Sequence, residues 1–288
     1  MSTVVYKEAR AKINLSLLVT GRKPDGYHTL DSIIFFVNFC GRLSFRIDKE
    51  LSLEISGPFS DSLENGRNNL IIQAAEAFKK ECKLNTGVAI SLEKNIPVSA
   101  GLGGGSTNAA VTLLALNELC KTGLTSASLA EIGLSIGADV PVCLFGETAR
   151  VQGIGEGIQP FVFPHKFGVV LVNPGVPIST AKVFSRFNSG FSEVMSADTL
   201  NELSAMQNFS SFSALKNDLE FPATQLCPEI SRVLGALRSE ADCIVSGLSG
   251  SGPTCFGLFQ TLEEAERVVK RLKQQNTNWW LKATAVYN

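Results

Sequence analysis

The stretch PVSAGLGGGSTNAAVTLLALN, residues 97–117, constrains the fold more than any other, because it sets four glycines within five positions directly ahead of an apolar, helix-forming segment. Glycine inside regular structure costs roughly 0.5–1 kcal/mol relative to alanine, so such a run demands a tight turn or a close approach to its backbone. The preceding GVAISLEKNI reads as a strand, which makes the unit strand, Gly-rich loop, helix. The loop fits neither common phosphate signature. It lacks the lysine of G-x-x-x-x-G-K-[ST], and GLGGGS sets Ser106 where G-x-G-x-x-G needs glycine. Bare backbone N–H groups and the positive end of the following helix nevertheless suit an anion. By itself the run reads equally as a structural turn and as a phosphate cradle.

Strands and helices alternate irregularly around this unit. INLSLLVTG, IIFFVNF and LSFRID read as strands, with GRKPDGYHTL as a loop between the first two. In NNLIIQAAEAFKKEC, residues Leu70, Ile71, Ala74, Ala75 and Phe78 lie near helical spacing. After Ser106 the apolar residues from Ala109 to Leu119 predict a helix stopping at Gly123, and TSASLAEIGLSIG predicts another, with Ser128 and Glu131 at capping-box spacing as one of several possible starts and an end at Gly137. Pro141 biases Val140 towards an extended shape, which puts Asp139 at a helix-to-strand junction. VQGIGEGIQP reads as a turn near a domain boundary. FGVVLVNPG reads as a buried strand, IVSGLSGSGPTCFGLF as strand, loop and strand, TLEEAERVVKRLKQQ as an amphipathic helix, and WWLKATAVYN as a closing strand. The expected class is α+β with an at least partly antiparallel sheet. A length of 288 residues suits one bilobal unit or two domains.

Charge narrows the partners. With 26 basic and 27 acidic residues the net charge is −1, which argues against a broad basic face for nucleic acid while leaving room for a small basic pocket. Seven cysteines without a C-x-x-C pair read as reduced thiols. No signal-peptide pattern and no apolar run of roughly 18 residues is present, so the expected location is cytoplasmic.

A second glycine cluster, GLSGSGPT at 247–254, lacks the G-x-S-x-G spacing of a hydrolase elbow, which makes Ser249 and Ser251 poor covalent nucleophiles. It reads as a hairpin loop, or as a partner of the first cluster around one polyphosphate. Lys12 and Asn14, two apart in ARAKINL, share a strand face; Lys12 is either a solvated lysine or the positive charge of a transfer site. Asp139 is either a turn residue or a proton acceptor.

AKINLSL, GYHTLDS, PVSAGLGGGSTNAA, IGADVPV and SGLSGSGPTCFG, in that order across nearly the whole chain, resemble the GHMP kinase superfamily, and within it the branch acting on 4-diphosphocytidyl-2-C-methyl-D-erythritol. The resemblance implies a two-lobed α+β fold. Residues 1–155 would form a ribosomal protein S5 domain 2-like ATP-binding domain and residues 156–288 a ferredoxin-like domain, with ATP and substrate meeting in the cleft between them. The implied chemistry is ATP-dependent phosphorylation of the substrate 2-hydroxyl, a step in non-mevalonate isoprenoid synthesis, by a monomer or homodimer. Asp139 would take the hydroxyl proton and Lys12 would hold the charges together. Pro97, Ala100, Gly101, Leu102, Gly103, Gly104, Gly105, Ser106 and Thr107, with Asn108 at the helix entry, would wrap the triphosphate, joined by Gly250, Ser251 and Gly252. Asn69, Leu70 and Lys94 match positions near the adenine.

Tyr27, His28 and Phe184 match residues that grip the cytosine ring, and Asn14 and Thr180 match the substrate pocket. Without the resemblance Tyr27 is a half-buried aromatic and His28 a loop histidine. Asn217 and Asp218 in NDLE resemble the family too, and read equally as a helix cap. Many relatives carry a serine for magnesium where this loop has glycine, so Mg-ATP is the implied cosubstrate while its protein ligands, Ser106 or Thr107 among them, stay open. GYHTL with Phe184 argues against a homoserine or mevalonate kinase, and retention of both Lys12 and Asp139 against a silent nucleotide-binding protein.

Overall fold

Apolar periodicity in the sequence becomes regular structure in a computed structural model that describes residues 3–163, 165–205 and 209–287. The chain opens with β1 (Val4–Asn14), β2 (Leu18–Arg22), the 21-residue β3 (His28–Asp48) and β4 (Ser52–Ser56). Next come α1 (Leu70–Glu81), β5 (Gly87–Glu93), α2 (Gly104–Leu119), α3 (Ser126–Ile136) and α4 (Val140–Phe145). A hairpin of β6 (Ala149–Gly153) and β7 (Gly157–Pro160) leads to β8 (Gly168–Asn173). Four helices follow, α5 (Thr180–Ser185), α6 (Ala197–Ala205), α7 (Glu220–Leu226) and α8 (Glu229–Arg238). Then come β9 (Val245–Leu248), β10 (Cys255–Phe259), α9 (Leu262–Gln275) and β11 (Trp280–Tyr287).

Two compact units are built from interleaved segments. The first takes the residues up to Lys12, Phe39–Val98 and Gly103–Gly146; the second takes Ile13–Asn38, Ser99–Leu102 and the residues from Glu147 on.

In the first unit β5 runs antiparallel to Arg42–Asp48 of β3 and parallel to β4. Helices α1, α3 and α4 all pack on α2 or on one another. The inner helix α2 is apolar around most of its circumference, burying Ala109, Ala110, Leu113, Ala115 and Leu116, as a helix enclosed by others must. Gly133 lets α4 approach α3, since a Cβ there would lie 2.9 Å from Val140 Cγ1.

In the second unit the strands run β3, β11, β8, β10, β9, with β11, β8, β10 and β9 paired antiparallel. Every residue of β8 is buried, in keeping with its unbroken apolar run. Val170 and Val172 of β8 and Phe259 of β10 share a core with Ile230, Val233, Leu234 and Leu237 of α8 and Ala265, Val268 and Leu272 of α9. A capping box between Thr261 and Glu264 starts α9.

The class is therefore α+β, while several local expectations need correction. INLSLLVTG is interrupted at Leu15–Leu17, and GRKPDGYHTL is a loop only from Lys23 to Tyr27, because β2 runs on through Arg22 and His28 already opens β3. Thr125, not Ser128, caps α3, its hydroxyl accepting the Ser128 N–H. Helix α2 ends at Leu119 rather than Gly123, because the Asn117 side chain accepts from the Leu124 N–H and holds the exit turn. Asp139 precedes a helix, not a strand: Pro141 falls in the first turn of α4, where a missing N–H costs nothing. Among the described residues no helix is long and apolar enough to cross a membrane.

Candidate active site

Within the first unit, Lys12 is buried near the end of β1, and its Nζ lies 3.0 Å from Asp139 Oδ2. Asp139 sits at the N-cap of α4 without using its side chain as a cap, so the carboxylate is left to the lysine and to solvent, 43% exposed. Gly103, at the N-cap of α2, has φ +64°, and a Cβ built there would fall 2.4 Å from Lys12 Cγ. Glycine at this point thus meets two demands, a left-handed turn and the lysine stem against the backbone. One residue on, a Cβ at Gly104 would lie 2.8 Å from Lys94 Nζ, so a second ammonium sits against the first residue of α2.

Lys94 is pinned through its backbone, its N–H donating to Ser56 O at 2.7 Å and its carbonyl accepting from Phe59 N–H. Burial pushes its ammonium down to about 8. Gly105 faces Leu70, and Asn69 caps α1 by accepting the Ile71 N–H while donating to Glu64 O. Thr107 turns its hydroxyl back on the Gly103 carbonyl at 3.1 Å. Pro97 and Asn108 are buried, and Ser106 is half-buried. Beside the pair, burial and then the charge of Asp139 push the Cys143 thiol far up, leaving it inert.

Within the second unit the two glycine clusters touch backbone to backbone. Gly101 has φ +75°, and a Cβ there would meet Ser249 O at 2.3 Å and Gly252 O at 2.9 Å. Thr254 N–H donates to Ala100 O, and Leu102 is buried. Asn14 donates its side-chain amide to Ser32 Oγ, and its Oδ1 would lie 3.3 Å from a Cβ on Gly250. Ser251 and Thr180 share a hydroxyl–hydroxyl bond of 2.8 Å. His28 stacks on Phe184 with centroids 5.2 Å apart and planes 25° off parallel, and Phe187 meets it edge-on. Burial, and then the Arg22 guanidinium, lower the His28 pKa and favour the neutral ring. Tyr27 is 62% exposed.

The structure gives partners to further residues, two of them already singled out in the sequence. Asn217 donates to both Leu248 O and Gly250 O and accepts the Leu219 N–H, while Asp218 accepts the Val19 N–H; the NDLE word is thus a brace for the second glycine loop as well as a turn. Asp31, the acid of GYHTLDS, is fully buried in a bidentate pair with Arg150 and accepts the Met195 N–H. Phe187, three residues after Phe184, had only that spacing as a signal.

Two family matches follow the chain: GHMP kinases N terminal domain over residues 69–147 and GHMP kinases C terminal over residues 195–278. A 4-diphosphocytidyl-2-C-methyl-D-erythritol kinase of Parvibaculum lavamentivorans is 39% identical over 292 residues, covering 99% of each chain. One of Cereibacter sphaeroides is 40% identical over 275 residues, covering 95% of this chain and 96% of its own. Among solved structures, a 4-(cytidine 5'-diphospho)-2C-methyl-D-erythritol kinase has a TM-score of 0.82 at 31% identity, covering 99% of this chain and all of its own. A homoserine kinase from Cytophaga hutchinsonii, at 17% identity and a TM-score of 0.76 over 99% of this chain and 94% of its own, shares the fold.

Proposed function

This chain belongs to the GHMP kinase family, and we propose that it transfers the γ-phosphoryl group of ATP to the 2-hydroxyl of 4-diphosphocytidyl-2-C-methyl-D-erythritol, a step of the non-mevalonate route to isoprenoid precursors. The observation that carries the site assignment is the Lys12–Asp139 pair beside the glycine turn at Gly103.

Phosphoryl transfer asks a protein for alignment and charge stabilisation more than for covalent chemistry. Asp139, half in solvent, takes the proton of the substrate hydroxyl as its oxygen attacks phosphorus; the γ-phosphorus–oxygen bond to the leaving ADP breaks as the new one forms. Lys12, 3.0 Å away, orients that carboxylate and offsets negative charge on the transferring group. The backbone from Ala100 to Ser106, the positive end of the 16-residue α2 and the Lys94 ammonium together suit the phosphates, with Gly250, Ser251 and Gly252 beside Gly101.

Pro97, Asn69 and Leu70 belong to the nucleotide side of this reading. Tyr27, neutral His28 and Phe184 hold the cytosine, the base lying between the rings of Tyr27 and Phe184. Asn14 and Thr180 serve the methylerythritol end. An ATP-binding domain over residues 1–155 and a ferredoxin-like domain over residues 156–288 complete this proposal, in a chain acting in the cytoplasm as a monomer or homodimer without nucleic acid.

Among the described residues no group of three His, Cys, Asp or Glu side chains could cage a metal. These donors fit a magnesium ion borne on phosphate oxygens and water, with at most a carboxylate such as Asp139. Bound in that way, the ion neutralises phosphate charge.

The test is ADP release with Mg-ATP, offering the cytidyl substrate beside mevalonate and homoserine. Turnover selective for the cytidyl compound, falling roughly 10²–10⁴-fold in Asp139→Asn, is expected. Turnover with another acceptor overturns the substrate, and full activity in Asp139→Asn removes the proposed base.

A further inference from the structure

We propose that Ser249 is a positioning residue for phosphoryl transfer, its one hydroxyl tying the backbone of Asn14 to that of Gly101. The side chain is completely buried; its Oγ donates to Gly101 O at 2.9 Å and accepts the Asn14 N–H at 3.3 Å. A serine hydroxyl has one hydrogen to give and lone pairs to receive, so it can join an acceptor on one segment to a donor on another, which alanine cannot.

The rest of the residue is fixed as firmly. Its N–H donates to Thr254 O, and its carbonyl accepts the Gly252 N–H. Asn217 braces the residues on either side through Leu248 O and Gly250 O. The hydroxyl is therefore held from behind and presented to two segments far away in sequence.

Burial alone does not produce such a partnership. The hydroxyls of Ser246, three residues earlier, and of buried Thr284 in β11 find no hydrogen-bond partner among the described residues. What sets Ser249 apart is whom it joins. Asn14 stands two residues after Lys12 on β1, and Gly101 two residues before Gly103, the glycine that lies against the Lys12 stem. The tie thus fastens the approaches to the catalytic lysine and to the phosphate loop at one point. Small displacements in such an arrangement are costly, about 10²-fold in rate for roughly 1 Å. No bond to substrate forms at Ser249; it acts through Asn14 and Gly101. This inference rests on the reaction proposed above.

Steady-state kinetics of Ser249→Ala, with Thr284→Val as a matched loss of a buried hydroxyl, test it. The expected result for Ser249→Ala is a kcat lower by about 10–100-fold with KM for the cytidyl substrate within about twofold, and for Thr284→Val no change in kcat. A kcat for Ser249→Ala within twofold of wild type, or an equal loss in Thr284→Val, overturns the proposal. If the alanine variant does not fold, Ser249→Cys, which leaves no cavity and weakens both hydrogen bonds, is held to the same criteria. If the wild type itself does not phosphorylate the cytidyl substrate, the reaction fails separately, and the tie is judged by amide hydrogen exchange over residues 99–103. Exchange at least about tenfold faster in Ser249→Ala than in Thr284→Val supports it, and equal exchange refutes it.

Discussion

Replacing Lys94 with methionine should stabilise the folded protein near neutral pH and abolish a rise in stability expected of the wild type above pH 8. Lys94 is 3% exposed and forms no ion pair among the described residues, and burial lowers its ammonium from the ordinary 10.5 to about 8. A displacement of that size corresponds to roughly 3 kcal/mol between the two states of the chain. Below pH 8 both folded and unfolded chains carry the proton, and the folded state bears the whole cost of a buried charge. Between pH 8 and 10.5 the unfolded chain still binds a proton that the folded chain has released, so stability climbs by about 1.4 kcal/mol per pH unit. Above 10.5 the cost has gone.

Methionine keeps most of the length and the apolar stem, so Lys94→Met gains up to about 3 kcal/mol at pH 7 and little at pH 10. Urea unfolding of both proteins at pH 7, 8, 9 and 10 reads the difference directly, since other titrating groups cancel between them. Parallel curves would refute the argument. On the proposed function, a triphosphate at the start of α2 would restore the charge of this buried ammonium. Calorimetry at pH 8.5 in two buffers of different ionisation heat should therefore show ATP binding taking up roughly three-quarters of a proton in the wild type and none through this group in Lys94→Met.

Gly103→Ala forces a side chain into φ +64° at about 1–2 kcal/mol and drives its Cβ into the Lys12 stem, so kcat should fall at least about tenfold. Gly123→Ala, with φ +69° and nothing within 4 Å, should lose similar stability in denaturant and keep its kcat; equal kcat losses in both would show that backbone strain alone is responsible. Phe184→Ala removes the ring stacked on His28. KM for the cytidyl substrate should rise about tenfold with kcat little changed, and the His28 pKa, followed by NMR, should return towards its ordinary value as burial is lost.

Local sequence carried the parts of this fold that local physics decides. The strand, glycine loop and helix at 87–119, the amphipathic α9 and the buried run of β8 all follow from periodicity and capping. Helix α8 had the same kind of signal, Ile230, Val233, Leu234 and Leu237 at helical spacing, between polar connections that gave no reason to look for it. Asp139 was visible as a residue held at a junction, but Pro141 pointed to a strand, because a proline fits a first helical turn only when the residues after it continue the helix. The glycines posed a choice between turn and phosphate that could not be resolved locally. Gly101 meets carbonyls about 150 residues later in the chain, and Gly103 meets Lys12. Ser249 was illegible for the same reason: its partners, Asn14 and Gly101, lie 235 and 148 residues away, and no spacing rule reaches that far.

In the second unit, β11 lies between β3 and β8, pairing Val286 and Tyr287 with Val37 and Phe36 on one side and Trp280–Ala285 with β8 on the other. A central strand is thus supplied about a hundred residues after β8 has been made. While the polypeptide is still emerging from a ribosome, β3 and β8 have open edges facing a gap that only residues 280–287 can fill. Such edges recruit other strands, so a nascent or prematurely terminated chain depends on chaperones, or on dilution, until residues 280–287 are free to insert.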